Sequence, residues 1–107
     1  MAQFDDRRDS FEKKFAHDEE LRFKATARRN KLLGHWAAGR LGKSGTEADE
    51  YAKSVVLADF EEAGDADVIR KVKADLETGG QASSETEIKA KLDELMSQAI
   101  TEIQAGR

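Results

Sequence analysis

The sequence predicts an all-α fold: a small four-helix bundle over residues 19–107, preceded by an N-terminal arm of residues 1–18. Three observations predict it. Proline is absent from all 107 residues, while Ala, Leu, Glu, Lys and Arg are plentiful, so helix is favoured and nothing in the composition breaks it. Apolar residues recur at helical spacing in four stretches. Glycine-bearing breaks at Gly42 to Gly45, Ala63-Gly64 and Gly79-Gly80 separate those stretches. A chain of this length supports one modest core and not two.

The first helix is expected from about Ser10 to Gly39. The stretch leading into it and its front half are a field of charge in which Phe4, Phe11 and Phe15 fall at i, i+7 and i+11, on one side of a helix. That stripe is too narrow to form a core of its own, so residues before about Asp18 are expected to be mobile in the free protein. In the back half Leu21, Ala25, Arg28, Leu32 and Trp36 share a different face, which is assigned to the core with Trp36 as its anchor.

The second helix begins near Ser44 or Thr46, with Ser44 and Glu47 spaced as a capping box. Ala48, Tyr51, Ala52, Val55, Val56 and Phe60 follow at helical spacing. Asp65 is placed to cap a third helix, whose stripe is Val68, Ile69, Val72 and Leu76. Ser84 and Glu87 form a second capping box before Ile88, Leu92, Leu95, Met96, Ala99, Ile100 and Ile103. The short connections favour antiparallel neighbours.

Composition narrows the function. A net charge of -4 argues against non-specific nucleic-acid binding, which needs a basic face. There is no cysteine for disulfide or thiolate chemistry. No apolar run follows the N-terminal charges as in a signal peptide, and none approaches the roughly 20 residues of a membrane span. A cytoplasmic protein without direct membrane insertion is expected.

Chemistry finds no foothold. Gly42-Lys43-Ser44 ends like a P-loop, but Ala37 stands where the first glycine belongs and a helix stands where a strand belongs. His17 and His35 are the only histidines, too few for a metal-dependent hydrolase, and no Glu-x-x-His pair is present. Glu61, Glu62, Asp65 and Asp67 lack the alternation of a calcium loop and read as solvating a helix end. With no nucleophile–base pair either, neither an enzyme nor a cofactor site is expected.

Binding is the better reading. Phe11 and Phe15 are surrounded by charged neighbours, so a groove on a partner suits them better than a core. Histidine is the side chain that titrates near neutral pH, which would let His17 tune affinity with pH, but an ordinary exposed helical histidine is the better reading. The basic residues between Arg22 and Lys31 read as part of a protein-binding or solvated helix.

Several blocks, in order, carry a family resemblance. Lys14-Phe15-Ala16-His17-Asp18, Phe23-Lys24-Ala25, Ala27-Arg28-Arg29-Asn30-Lys31-Leu32-Leu33-Gly34 and Trp36-Ala37-Ala38 are similar to the zeta subunit, the inhibitor of the alpha-proteobacterial F-type ATP synthase. Tyr51-Ala52-Lys53, Val55-Val56 and Ala58-Asp59-Phe60-Glu61-Glu62-Ala63-Gly64 continue the resemblance over most of the chain. It implies that the N-terminal segment inserts into the catalytic head at an interface of alpha and beta subunits, reaches the gamma shaft and blocks ATP hydrolysis. A bundle, monomeric when free, then stays outside as a bulky stop. In that arrangement Phe4, Phe11 and Phe15 fill apolar pockets, Arg7, Arg8, Lys13 and Lys14 pair with acidic groups, and His17 lies in the contact. The alternative is a small bundle that senses adenine nucleotides through basic residues near Trp36.

Overall fold

The structure, a computed structural model, describes residues 19–59 and 65–106. It contains four helices: α1 (Glu19–Arg40), α2 (Gly45–Ala58), α3 (Ala66–Thr78) and α4 (Glu85–Gln104). Residues 10–18, expected in the first helix, lie outside the described residues. No strand occurs among the described residues, and the all-α reading holds.

Helix ends follow local chemistry. At the end of α1, Gly42 has φ +76°, the Lys43 N–H donates to the Ala38 carbonyl (2.9 Å), and the Gly42 N–H donates to that of Gly39 (3.2 Å). This pair of bonds, closed by a left-handed glycine, is a Schellman motif. The end of α3 repeats it: Gly80 has φ +75°, with Gln81 donating to Leu76 (2.7 Å) and Gly80 to Glu77 (3.1 Å). Gly42 and Lys43 thus serve to stop a helix.

The two expected capping boxes part company. Before α4, the Glu87 N–H donates to Ser84 Oγ and the Ser84 N–H to Glu87 Oε1, both at 3.1 Å. Before α2, the Ser44 side chain makes no capping bond. Gly45 at φ +56° turns the backbone out of the geometry such a box needs. Asp65 also occupies an N-cap position without a side-chain capping bond. Its carboxylate is engaged elsewhere.

Packing is antiparallel. Along α1, Arg28 meets Glu102 and Trp36 meets Lys91, so α4 runs the opposite way. Gly34 faces Ala52, and Ala27 lies beside Val56, so α2 does likewise. Leu33, Val55, Val68, Val72, Leu76 and Ile88 are fully buried at the centre, with Ile69, Leu92 and Leu95 around them. Burying each such side chain is worth about 1.5–3 kcal/mol. The stripe read for α3 is buried throughout, while of the stripe read for α4 Ile88, Leu92, Leu95 and Ala99 are buried and Met96, Ile100 and Ile103 are half-buried.

The face of α1 differs from expectation by about one residue. Its buried residues are Ala25, Arg29, Asn30, Leu33, Gly34, Ala37 and Ala38, while Leu32 and Trp36 pack on the core from its edge. The reason is the approach of α2. A Cβ at Gly34 would stand 2.5 Å from Ala52 Cα, a distance only a glycine permits. Small residues therefore occupy the contact line, and larger ones are turned to its flanks.

Trp36 is accordingly half-buried rather than a central anchor. Arg40 and Lys91 lie 5.3 and 5.6 Å from its ring centroid, within cation–π range. Trp36→Ala is expected to cost about 2 kcal/mol, short of a fully buried tryptophan's cost. Because those cations attract anions, fluorescence of this only tryptophan should be quenched more strongly by iodide than by caesium. Equal, weak quenching by both ions would show a sealed ring.

Candidate partner-binding surface

Two features of α1 stand outside the central core. The first is a buried polar hub. The Arg29 guanidinium, 6% exposed, donates to Asp65 through Nη2 (2.7 Å to Oδ1) and Nη1 (3.3 Å to Oδ2). It also donates to Asn30 Oδ1 through Nε (3.1 Å) and Nη2 (2.9 Å). A two-pronged arginine–carboxylate contact fixes geometry as well as charge. Here it ties the middle of α1 to the start of α3 and takes the carboxylate that might otherwise cap that helix. Asp67, 7% exposed, pairs with Arg70 at 2.6 Å. Neither Asp65 nor Asp67 merely solvates a helix end, which corrects the expectation for both.

Asp59, the C-cap of α2, completes this acidic surround. Burial pushes its carboxyl above the ordinary value. Arg29 opposes the shift, Asp65 and Asp67 add to it, and Asn30 lowers it. Asn30 Nδ2 reaches no partner at hydrogen-bond distance, so its influence on Asp59 acts from farther away. A carboxyl with a raised folded value loses stability when it ionises. Asp59→Asn is therefore expected to melt slightly above the parent at pH 7. That gain should shrink as pH falls through the folded value and the parent's carboxyl takes up its proton. A variant less stable than the parent at pH 7 would mean that attraction to Arg29 outweighs burial.

A second polar knot joins α2 to α3. Tyr51 donates to Asp75 Oδ2 (2.8 Å), and Lys71 reaches the same oxygen at 3.1 Å. Burial, then the hydrogen bond to Asp75 and its charge, hold the phenol well above its usual range. Tyr51 remains a donor throughout the physiological range.

The other feature of α1 is an open groove on its outward flank. Phe23 and Ala27 form one wall, Val56 of α2 and Ile103 of α4 the rest. Phe23 is 58% exposed, which is unusual for a residue whose burial would be worth so much. Lys24, Arg28 and Lys31 complete the lining, and among the described residues no acidic side chain lines the groove. At about 650 Å³ it has the size of a ligand pocket, but its openness suits a protruding side chain better than an enclosed small molecule.

The residues assigned from sequence to the partner contact (Phe4, Arg7, Arg8, Phe11, Lys13, Lys14, Phe15 and His17) lie outside the described residues. The Phe23 groove was missed. Its signal was present: a large aromatic residue between Arg22 and Lys24, off the face that carries Ala25 and Leu33. Among the described residues, no group of three or more His, Asp or Glu side chains is arranged to hold a metal ion. No helix there is long and apolar enough to cross a membrane.

Fold and surface together define a small all-α protein with open grooves among its described residues. The chain belongs to the ATPase inhibitor subunit zeta family, whose model matches residues 1–102. A solved chain described as the solution NMR structure of the protein is 50% identical to it. That match has a TM-score of 0.72 and covers 81% of this chain and 99% of the other. No curated protein matches significantly.

Proposed function

We propose that this chain inhibits the F-type ATP synthase as a binding protein without catalytic activity of its own. In this reading residues 1–18 form an arm and residues 19–107 a bundle. The arm enters the catalytic head at an interface of alpha and beta subunits and reaches the gamma shaft, and ATP hydrolysis stops because one rotational state is trapped. Phe4, Phe11 and Phe15 supply the apolar anchors. Arg7, Arg8, Lys13 and Lys14 meet acidic groups, and His17 lies at the end of the contact. The inhibitor acts on the cytoplasmic side of the membrane, as a monomer before it binds.

The observation that supports this most is the family match, which spans residues 1–102 and so includes the arm as well as the bundle. Physically, a rotary machine can be stopped by a wedge alone, and a packed bundle at the wedge's outer end limits how far it enters. Adding the protein to its cognate ATP synthase is expected to reduce ATP hydrolysis in proportion to occupancy. Undiminished hydrolysis at saturating protein would refute the proposal.

One observation favours a second reading. Trp36 with Arg40 and Lys91 offers a ring and two cations, components that an adenine nucleotide would use. Calorimetry with ATP on the isolated protein separates the two, since saturable heat without inhibition of the ATP synthase would favour a sensor.

A further inference from the structure

We infer that the groove walled by Phe23, Ala27, Val56 and Ile103 is a second docking surface, whose occupant is an apolar side chain on an acidic segment of the ATPase head. The inference rests on the inhibitory reading above and names a contact beyond the N-terminal arm.

Three observations carry it. The first is exposure. Phe23 is 58% exposed, while Leu33 of the same helix is buried and Leu32 and Trp36 pack at the core edge. Its ring stands at the mouth of a groove with an apolar floor on α2 and α4.

The second is charge. The whole chain carries a net charge of -4, yet among the described residues the groove is lined by Lys24, Arg28 and Lys31 and by no acid, Asp59 lying in the adjoining hollow beside Phe23, Ala27 and Val56. Lys31 makes no ion pair among the described residues. Lys24 pairs with Glu20 at 3.3 Å at the surface, and Arg28 with Glu102 at 3.4 Å in a partly buried pair. An exposed pair such as Lys24–Glu20 is weak and exchanges readily for a partner's carboxylate. A basic rim around an apolar floor selects an acidic segment with one apolar anchor, and a basic partner is repelled.

The third is continuity. Phe23 lies one helical turn after Glu19, where the described part of α1 begins next to the proposed arm. An arm seated in the head therefore brings this flank of α1 against the head's outer rim. Leu57, equally apolar and 54% exposed, lies in a different groove beside Asp67 and Arg70. It provides an internal control.

The test uses the full chain and the cognate ATP synthase. Lys31→Glu and Phe23→Ala are each expected to raise the inhibition constant at least tenfold, with melting temperatures like the parent's. Leu57→Ala should stay within twofold. The Lys31→Glu penalty should be larger at about 50 mM salt than at 200 mM, because salt screens exposed charge. Inhibition constants within twofold of the parent for both groove variants would overturn the inference and leave the arm proposal standing. Failure of the unmodified chain to inhibit would refute the inhibitory reading itself, and this inference with it. A dimer of the free chain that Phe23→Ala dissolves would also overturn it, by assigning the groove to a second copy.

Discussion

A chain that starts at Glu19 is expected to keep the helical signal and melting temperature of the full protein while losing inhibition of the ATP synthase. The described core explains the first half. Its fully buried side chains run from Leu33 through Val55, Val68, Val72 and Leu76 to Ile88, and the polar ties from Arg29 to Asp65 and from Tyr51 to Asp75 join the helices. All of these groups lie after Glu19. The second half follows from the anchors the truncation removes. A buried aromatic anchor at an interface is worth about 2 kcal/mol or more, roughly thirtyfold in affinity, and Phe4, Phe11 and Phe15 are lost together. Phe11→Ala and Phe15→Ala in the full chain should each reproduce part of that loss without moving the melt. A truncated chain that unfolds would place the first eighteen residues in the fold. One that inhibits fully would move the inhibitory contact onto the bundle.

The largest effect on stability is expected at Gly34. An alanine there would bring its Cβ to 2.5 Å from Ala52 Cα and 3.0 Å from Ala52 Cβ, and backbone cannot swing aside as a flexible side chain can. The helices must separate, and the contact line from Gly34 to Ala38 loosens with them. Overpacking of this kind costs about 1–3 kcal/mol, and the backbone clash puts Gly34→Ala at the upper end. At about 4–8 °C per kcal/mol for a domain of this size, the melt should fall by more than about 8 °C. Gly39→Ala provides the contrast. A Cβ at Gly39 meets nothing within 4 Å, so the substitution should stabilise by about 0.5 kcal/mol through helix propensity. Equal effects at the two glycines would show that α1 and α2 are free to part.

Patterns written in one stretch of sequence were legible, and patterns written between stretches were not. Val68, Ile69, Val72 and Leu76 announce the buried stripe of α3, and Ser84 with Glu87 announces the start of α4, because both signals are local. On α1 the large side chains Leu21, Leu32 and Trp36 drew the predicted face toward themselves. The buried line runs instead through Gly34, Ala37 and Ala38, residues whose hydrophobicity is slight and whose value is their small size beside Ala52. Asp65 followed the same rule. As a local signal it is an N-cap, but Arg29, 36 residues away in sequence, claims its carboxylate. Of the site, the proposed arm residues were legible through the family resemblance, with the aromatic spacing as support. The Phe23 groove needed three helices to be brought together before it existed.

The close seat of Gly34 on Ala52 also has a mechanical meaning. From Glu19 to Gly34 the axis of α1 runs about 22 Å at the usual helical rise. Along that length the helix rests on α4 where Arg28 meets Glu102, and on α2 where Gly34 meets Ala52. It is a beam on two bearings with its Glu19 end toward the proposed arm. In the proposed insertion, a turning shaft that pushes on the arm delivers its sideways load at Glu19 as a bending moment, and the two bearings resist it as a couple. The bearing at Gly34 is backbone against small side chain, with no long side chain between to bend as a spring. In the proposed mechanism, stiffness at that joint sets how much torque the wedge bears before it tilts, so Gly34 governs the load the inhibitor can hold.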